Sequence, residues 1–381
     1  MLDQVRRRTA ASQVRWADAA IERDRAAELL RTPRVRSGGN GIHGRIDGRS
    51  VVEFSSNDYL GLSVHPRVRE AAARAARELG VGATGSRHLS GSHAAMLELE
   101  STLAGFEGTE TATLAPTGYA ANVAILEALG GPDAIVFSDA LNHASMIDGC
   151  RASRSRVEVY GHRNTADLER RLATCEARAI IVSDGVFSSE GSVADVAALA
   201  ELAERYDAWL VVDEAHATGV VGPDGAGVVA AAGVSARPNV VKVVTFSKAL
   251  GASGGAVCGT AQVRQLLLQR GRSLIYSTGL AHPVVAAVSA ALGVLEDEPE
   301  LRARLRFNAT LLHQLMDRLS SPDHACELPL LLIPAGGAGH AMELEQALWR
   351  GGWMVHALRP PTVPQGRSAL RVIVSALHQP E

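Results

Sequence analysis

Short apolar runs rich in β-branched residues recur through the middle of the chain: Ala134–Phe137, Val157–Tyr160, Ala179–Val182, Trp209–Val212, Val240–Thr245 and Gly255–Cys258. Between several of them apolar positions fall at helical spacing, as in Thr165–Ala173 and Val193–Tyr206. Nearly unbroken apolar strands alternating with amphipathic helices predict an α/β fold whose mostly parallel mixed sheet is buried on both faces and flanked by helices. Residues 1–31 read as a helix, with Val5, Val14, Ala17, Ile21 and Leu29 recurring among charges until Pro33 and the glycines at 38, 39 and 41. A β-like stretch, Gly44–Phe54, follows, and Pro66–Leu79 reads as a helix closing at Gly80. From about Ala286 a long helix gives way to strand, helix and strands at Leu328–Ile333, His340–Gly351, Met354–Leu358 and Leu370–Ser375. The pattern divides the chain into an N-terminal helical arm (1–50), a large α/β domain (51–285) and a smaller C-terminal α+β domain (286–381).

Composition narrows the class. With 46% hydrophobic residues and a net charge of -3, the chain reads as a soluble globular protein with no electrostatic footprint for nucleic acid. The Arg6–Arg8 run has no apolar stretch behind it to make a secretory signal. Pro283–Leu295 is too short and alanine-rich to span a bilayer. The four cysteines, Cys150, Cys175, Cys258 and Cys326, form no C-x-x-C pair, so neither a zinc site nor a disulfide scaffold is expected. A cytoplasmic enzyme with reduced thiols and no metal fits these features.

Only two of the 38 Lys and Arg residues are lysine, Lys242 and Lys248. Lys248 ends Val-Val-Thr-Phe-Ser-Lys, an apolar strand stopping at a hydroxyl-rich turn. Arginine stays protonated, whereas a desolvated lysine can lose its proton and act as a nucleophile. Ligands of such sheets bind at the carboxyl ends of the strands, so the residues after each strand carry the chemistry. Those ends supply Ser138 to His143, Ser183 to Ser188, Asp213 to His216, Thr245 to Lys248, and Arg371. An amine, an Asp at the end of an apolar strand, two imidazoles and several hydroxyls suit pyridoxal phosphate. That cofactor takes a lysine for its carbonyl, an acid for its pyridine nitrogen, and N–H and hydroxyl groups for its phosphate. Asp213 is the candidate acid, and the turn Thr117-Gly118-Tyr119-Ala120-Ala121-Asn122 opens an apolar helix whose N-terminus suits phosphate. Gly80-x-Gly82-x-x-Gly85 matches a dinucleotide fingerprint, but a helix rather than a strand precedes it, so it is expected to shape a loop.

Six ordered motifs then carry a resemblance over about residues 31–375. They are Asn57-Asp-Tyr-Leu-Gly-Leu, Gly82-Ala-Thr-Gly-Ser-Arg-His-Leu-Ser-Gly, Asn142-His-Ala-Ser, Val186-Phe-Ser-Ser-Glu-Gly, Asp213-Glu-Ala-His-Ala-Thr-Gly and Thr245-Phe-Ser-Lys-Ala-Leu-Gly. The chain resembles the α-oxoamine synthases, fold-type I pyridoxal-phosphate transferases that act as homodimers. Arg359-Pro-Pro-Thr-Val-Pro with Leu370-Arg-Val is most similar to the member that condenses L-alanine with a pimeloyl thioester in biotin biosynthesis, carried on CoA or a carrier protein. The resemblance implies that Lys248 holds the cofactor carbonyl and moves the Cα proton. It sets Asp213 against the pyridine nitrogen, His143 on the ring face, and His216 and Ser188 at the phenolic oxygen. Gly118, Tyr119, Thr245 and a second subunit's Thr278 would hold the phosphate. Asn57 would line the pocket, Arg371 would bind the amino-acid carboxylate, and Arg31 would meet the acyl chain or its carboxylate.

Two departures are visible. Thr117 stands where relatives often carry serine, and the chain stops at Glu381 where they commonly continue through a final helix, which is expected to expose apolar surface. Three alternatives stay open: glycine joined to acetyl-CoA, another amino-acid and acyl pair, and a non-catalytic dimer keeping the fold.

Overall fold

The computed structural model describes residues 2–316, 319 and 328–380. Its centre is a seven-stranded sheet in the order Thr111–Ala115, Gly255–Gly259, Val240–Thr245, Trp209–Asp213, Arg178–Asp184, Ala134–Asp139 and Arg156–Tyr160. The last five strands run parallel, whereas Gly255–Gly259 pairs antiparallel with both of its neighbours. Side chains alternate between two buried faces, as the apolar runs require. Val136, Ile180, Val182, Val211, Val241 and Val257 pack on the helix Gly118–Leu129. Phe137, Ile181, Leu210, Val212 and Val244 join the opposite core with the helices Ala94–Glu107, Val196–Arg205 and His282–Asp297.

Several outer elements differ from expectation. The N-terminal helix ends at Ala26, not residue 31, and Glu28 adopts φ 59. The chain beyond is held instead by Arg359, whose guanidinium donates to the carbonyls of Glu28 and Leu30. The strand Thr111–Ala115 was not visible in the apolar pattern because two threonines interrupt it. The helix expected from Ala286 begins at His282, where Pro283 occupies its first turn, and a second helix, Glu300–Met316, follows. The stretch 354–358 is split. Trp353–Met354 pairs with Arg49–Glu53, while His356–Leu358 pairs with Ser368–Ile373. Ser368–Ile373 is the middle strand of a three-stranded antiparallel sheet with Leu330–Gly336, backed by the helix Ala338–Arg350.

Near the C-terminus Ala376 and His378 are buried. Cys150 and Cys258 are buried and Cys175 is half-buried, all as free thiols; Cys326 lies outside the described residues. Among the described residues no helix is long and apolar enough to cross a membrane.

Candidate active site

The carboxyl ends of five strands and one helix N-terminus enclose a cavity of about 250 Å³. A wider hollow of about 450 Å³ over His43, Arg45 and Gly352 holds none of the strand-end groups. The chemistry is therefore in the smaller one. Lys248, Asp213, His143, His216, Ser188, Thr245, Gly118 and Tyr119 all wall it, so the structure gathers eight predicted residues into one chamber.

Register explains the acidic floor. Asp213 pairs directly with Asp184 across neighbouring parallel strands, so both carboxylates emerge at the same sheet edge. Asp213 is buried, with Oδ1 accepting the Ala215 N–H at 2.9 Å and Oδ2 accepting the Asn122 amide at 2.6 Å. Asp184 accepts the His143 N–H at 3.2 Å. Burial, reinforced by repulsion from Asp213, raises its carboxyl well above the usual range.

Lys248 sits on the turn after Val240–Thr245, facing these acids. Desolvation lowers its amine to about 8, against the opposing pull of Asp213 and Asp184 and with Arg371 adding repulsion. An amine with an appreciable neutral fraction near physiological pH is what condensation with a carbonyl needs.

His216 is held from behind. Its Nδ1 lies 2.6 Å from the Tyr59 hydroxyl, which is 3.4 Å from Asn57 Oδ1. The phenol donates to Asn57, and its 2.6 Å contact joins the same oxygen to the imidazole. Burial raises the Tyr59 pKa and lowers that of His216 well below its usual value, so both stay neutral.

The opposite wall is the N-terminus of Gly118–Leu129. Thr117 caps it, its hydroxyl accepting the Ala120 N–H at 2.9 Å. The first N–H groups of a helix have no helical partners, which leaves those of Gly118 and Tyr119 for an anion. A Cβ on Gly118 would come within 2.9 Å of Thr245 Cβ, so only glycine lets this turn close on Thr245. The Tyr119 side chain turns away to donate to Asp148, leaving only its backbone for the cavity.

Arg371 lies mid-strand in Ser368–Ile373, opposite Leu332 and His356. It is close enough to Lys248, His216 and Tyr59 to act on their charges. Its Nε is buried without a hydrogen-bond partner, and among the described residues no carboxylate pairs with its guanidinium. An unpaired cation of this kind is costly unless a ligand answers it.

Four expected residues do not wall the cavity of this chain: Arg371 stands beside it, and Asn57, Arg31 and Thr278 lie farther off. Asn57 is two contacts behind the wall, through Tyr59 and then His216. Arg31 is exposed on the smaller sheet's side, donating to the Pro360 carbonyl at 3.1 Å beside Arg359. Thr278 is exposed in the turn after Tyr276. Conversely Asp184, Ser145, Asn122 and Ser247 wall the cavity without having been assigned a role, and Tyr59 supports it. The Asn57 and Asn142 motifs contain or adjoin Tyr59 and Ser145, a signal within reach. Asn122 lies inside an apolar helix and gave none.

The donor set fits pyridoxal phosphate: an amine, a facing carboxylate, neutral imidazoles and an anion-binding helix turn surround one chamber. Comparison with known proteins agrees. The family model for class I and II aminotransferases matches residues 49–381. A sequence named 8-amino-7-oxononanoate synthase from Mycobacterium sp. (strain JLS) is 42% identical over 370 residues, 97% of this chain and 94% of that one. Another so named, from Burkholderia mallei (strain SAVP1), is 43% identical over 364 residues, 93% of this chain and 91% of that one. Among solved structures, a serine palmitoyltransferase from S. paucimobilis with a bound PLP–myriocin aldimine superposes with TM-score 0.90 at 29% identity, over 97% of this chain and 94% of that one. An 8-amino-7-oxononanoate synthase from Francisella tularensis superposes with TM-score 0.74 at 28% identity, over 86% and 93%.

Proposed function

Since the chain belongs to the class I and II aminotransferase family, we propose that it is a pyridoxal-phosphate-dependent 8-amino-7-oxononanoate synthase. It joins L-alanine to a pimeloyl thioester, releasing carbon dioxide and the free thiol, in biotin biosynthesis. The observation that carries the reading is Lys248, its amine depressed to about 8, facing Asp213 and Asp184 across one cavity while Arg371 stands unpaired beside it. The substrate pair follows the names of the relatives at 42–43% identity.

Bound pyridoxal phosphate supplies a carbonyl that condenses with amines and a ring that takes up the electron pair of a broken Cα bond. The residues do the rest. Asp213 would hold the pyridine nitrogen in its protonated form. His143 would cover the ring face, while His216 and Ser188 would bind the phenolic oxygen. Gly118 and Tyr119 N–H with Thr245 would hold the phosphate, and exposed Thr278 would reach it from a second copy of the chain in a homodimer. Arg371 would bind the alanine carboxylate and so set which Cα bond is broken. Lys248 would take the Cα proton of alanine and later return one there. Arg31, beside Arg359, meets the far carboxylate of the acyl chain.

Thiol release by the loaded protein tests the assignment, with alanine, glycine or serine crossed against pimeloyl-, acetyl- and long-chain acyl-CoA. Release confined to alanine with pimeloyl-CoA is expected. Release with serine and a long-chain donor instead would transfer the chain to the chemistry of its serine palmitoyltransferase neighbours. Arg371→Ala should raise the KM for alanine roughly 10- to 100-fold, the worth of a hydrogen-bonded charge pair, with little change for the acyl donor; an unchanged alanine KM removes the carboxylate contact.

The Lys248 amine also sets a pH dependence. Below about 8 its neutral fraction falls tenfold per unit. The rate at which the apo-protein takes up pyridoxal phosphate should therefore rise with pH and level off near 8. A rise continuing to 10 would show an amine of ordinary basicity.

A further inference from the structure

We propose that Asn122 is a positioning residue that ties the carboxylate of Asp213 to the protonation of His143 through Ser145. The proposal rests on the cofactor reading above and adds to it two residues behind the ring-contacting groups.

The hydrogen bonds have a forced direction. Asn122, on the helix Gly118–Leu129, is 2% exposed. Its Nδ2 lies 2.6 Å from Asp213 Oδ2 and 2.9 Å from Ser145 Oγ, so both amide hydrogens are used. The reverse amide orientation would set its oxygen against the Asp213 carboxylate, two acceptors with no proton between them. Ser145 Oγ accepts from Asn122, so its own proton points to His143 Nδ1, 2.7 Å away. The Ser145 N–H aims at the same ring nitrogen at 3.3 Å. Two donors on Nδ1 leave it unprotonated and put the His143 proton on Nε2. The chain runs one way, from Asn122 to Asp213 on one side and through Ser145 to His143 on the other.

Asn122 Oδ1 is buried without a hydrogen-bond partner. A side chain present only to fill this space would not leave such an acceptor unanswered, because buried polar atoms are nearly always paired. The arrangement makes sense if the two donors are what matters. With the Ala215 N–H on Oδ1, the Asn122 amide fixes the plane of the Asp213 carboxylate.

The test compares wild type, Asn122→Ala and Ser145→Ala after loading with pyridoxal phosphate, each checked for folding by circular dichroism. The readouts are cofactor affinity, the pH titration of the cofactor's visible absorbance, and kcat and KM for alanine. Asn122→Ala should weaken cofactor binding about tenfold and move the absorbance titration by about one pH unit. Ser145→Ala keeps the Asp213 contact, so its titration should stay in place while kcat drops several-fold at constant KM. In an Asp213→Asn background Asn122→Ala should add little, because the amide acts through that carboxylate. A folded Asn122→Ala protein with wild-type affinity and titration overturns the proposal. Should that variant not fold, Ser145→Ala decides, and an unchanged kcat overturns it. Wild-type protein that fails to load the cofactor refutes the cofactor reading itself, a result separable from either.

Discussion

Lys248→Ala is expected to lower thiol release from alanine and pimeloyl-CoA by more than about 10⁴-fold, combining loss of the covalent anchor with loss of the proton carrier at Cα. The size of the effect follows from the absence of a substitute. Lys242 is the only other lysine in the chain and is fully buried behind the sheet. The cavity's remaining bases are poor replacements. His216 is committed to Tyr59, and Asp184 is pushed toward its protonated form. Pyridoxal phosphate should still bind through the helix turn and Asp213, but borohydride reduction followed by mass spectrometry should find it on Lys248 in wild type and on no residue in the variant. A Lys248→Ala protein retaining activity within tenfold would end the assignment.

Much of this site could be read before any coordinates because it is built from strand ends. Apolar runs such as Trp209–Val212 announce a strand, and the polar residues just after each must emerge at the sheet edge, so Asp213 and the turn carrying Lys248 could be placed by counting. What escaped depends on partners distant in sequence. Asn122 reads as one polar residue in an apolar helix until the fold brings Asp213, 91 positions later, against it. Tyr59 looks like a core aromatic until its hydroxyl meets His216. The reversal of Gly255–Gly259 was within reach: the short connection from Thr245 cannot make the crossover that a parallel neighbour demands. Arg31 and Thr278 stand outside the chamber of one chain, and their proposed roles depend on the acyl substrate and on a second copy.

The other lysine has the opposite task, and its removal should unfold the protein rather than silence it. Lys242 lies on the strand that leads to Lys248, with its ammonium ion-paired to Glu107 and donating to the carbonyls of Glu107 at 3.1 Å and Ala226 at 2.8 Å. Glu107 and Glu214 keep it protonated despite burial. Glu214, next to Asp213, in turn accepts the N–H groups of Val228 and Val229 at 2.9 and 2.8 Å. Lys242→Ala would leave Glu107 buried without its counter-ion, and losing one partner of such a pair costs about 3–5 kcal/mol. Removing both charges is far milder, since well-packed neutral replacements of a buried pair are often close to neutral. Urea unfolding should therefore show the full loss for Lys242→Ala and recovery to within roughly 1–2 kcal/mol for Lys242→Met combined with Glu107→Leu. Activity per folded molecule should persist in the double variant, because neither residue reaches the cavity. A single variant as stable as wild type would mean that Glu107 is already neutral in the folded protein and that the pair contributes nothing. The two lysines would then differ only in position, whereas the geometry assigns one to chemistry and the other to holding the strand that presents it.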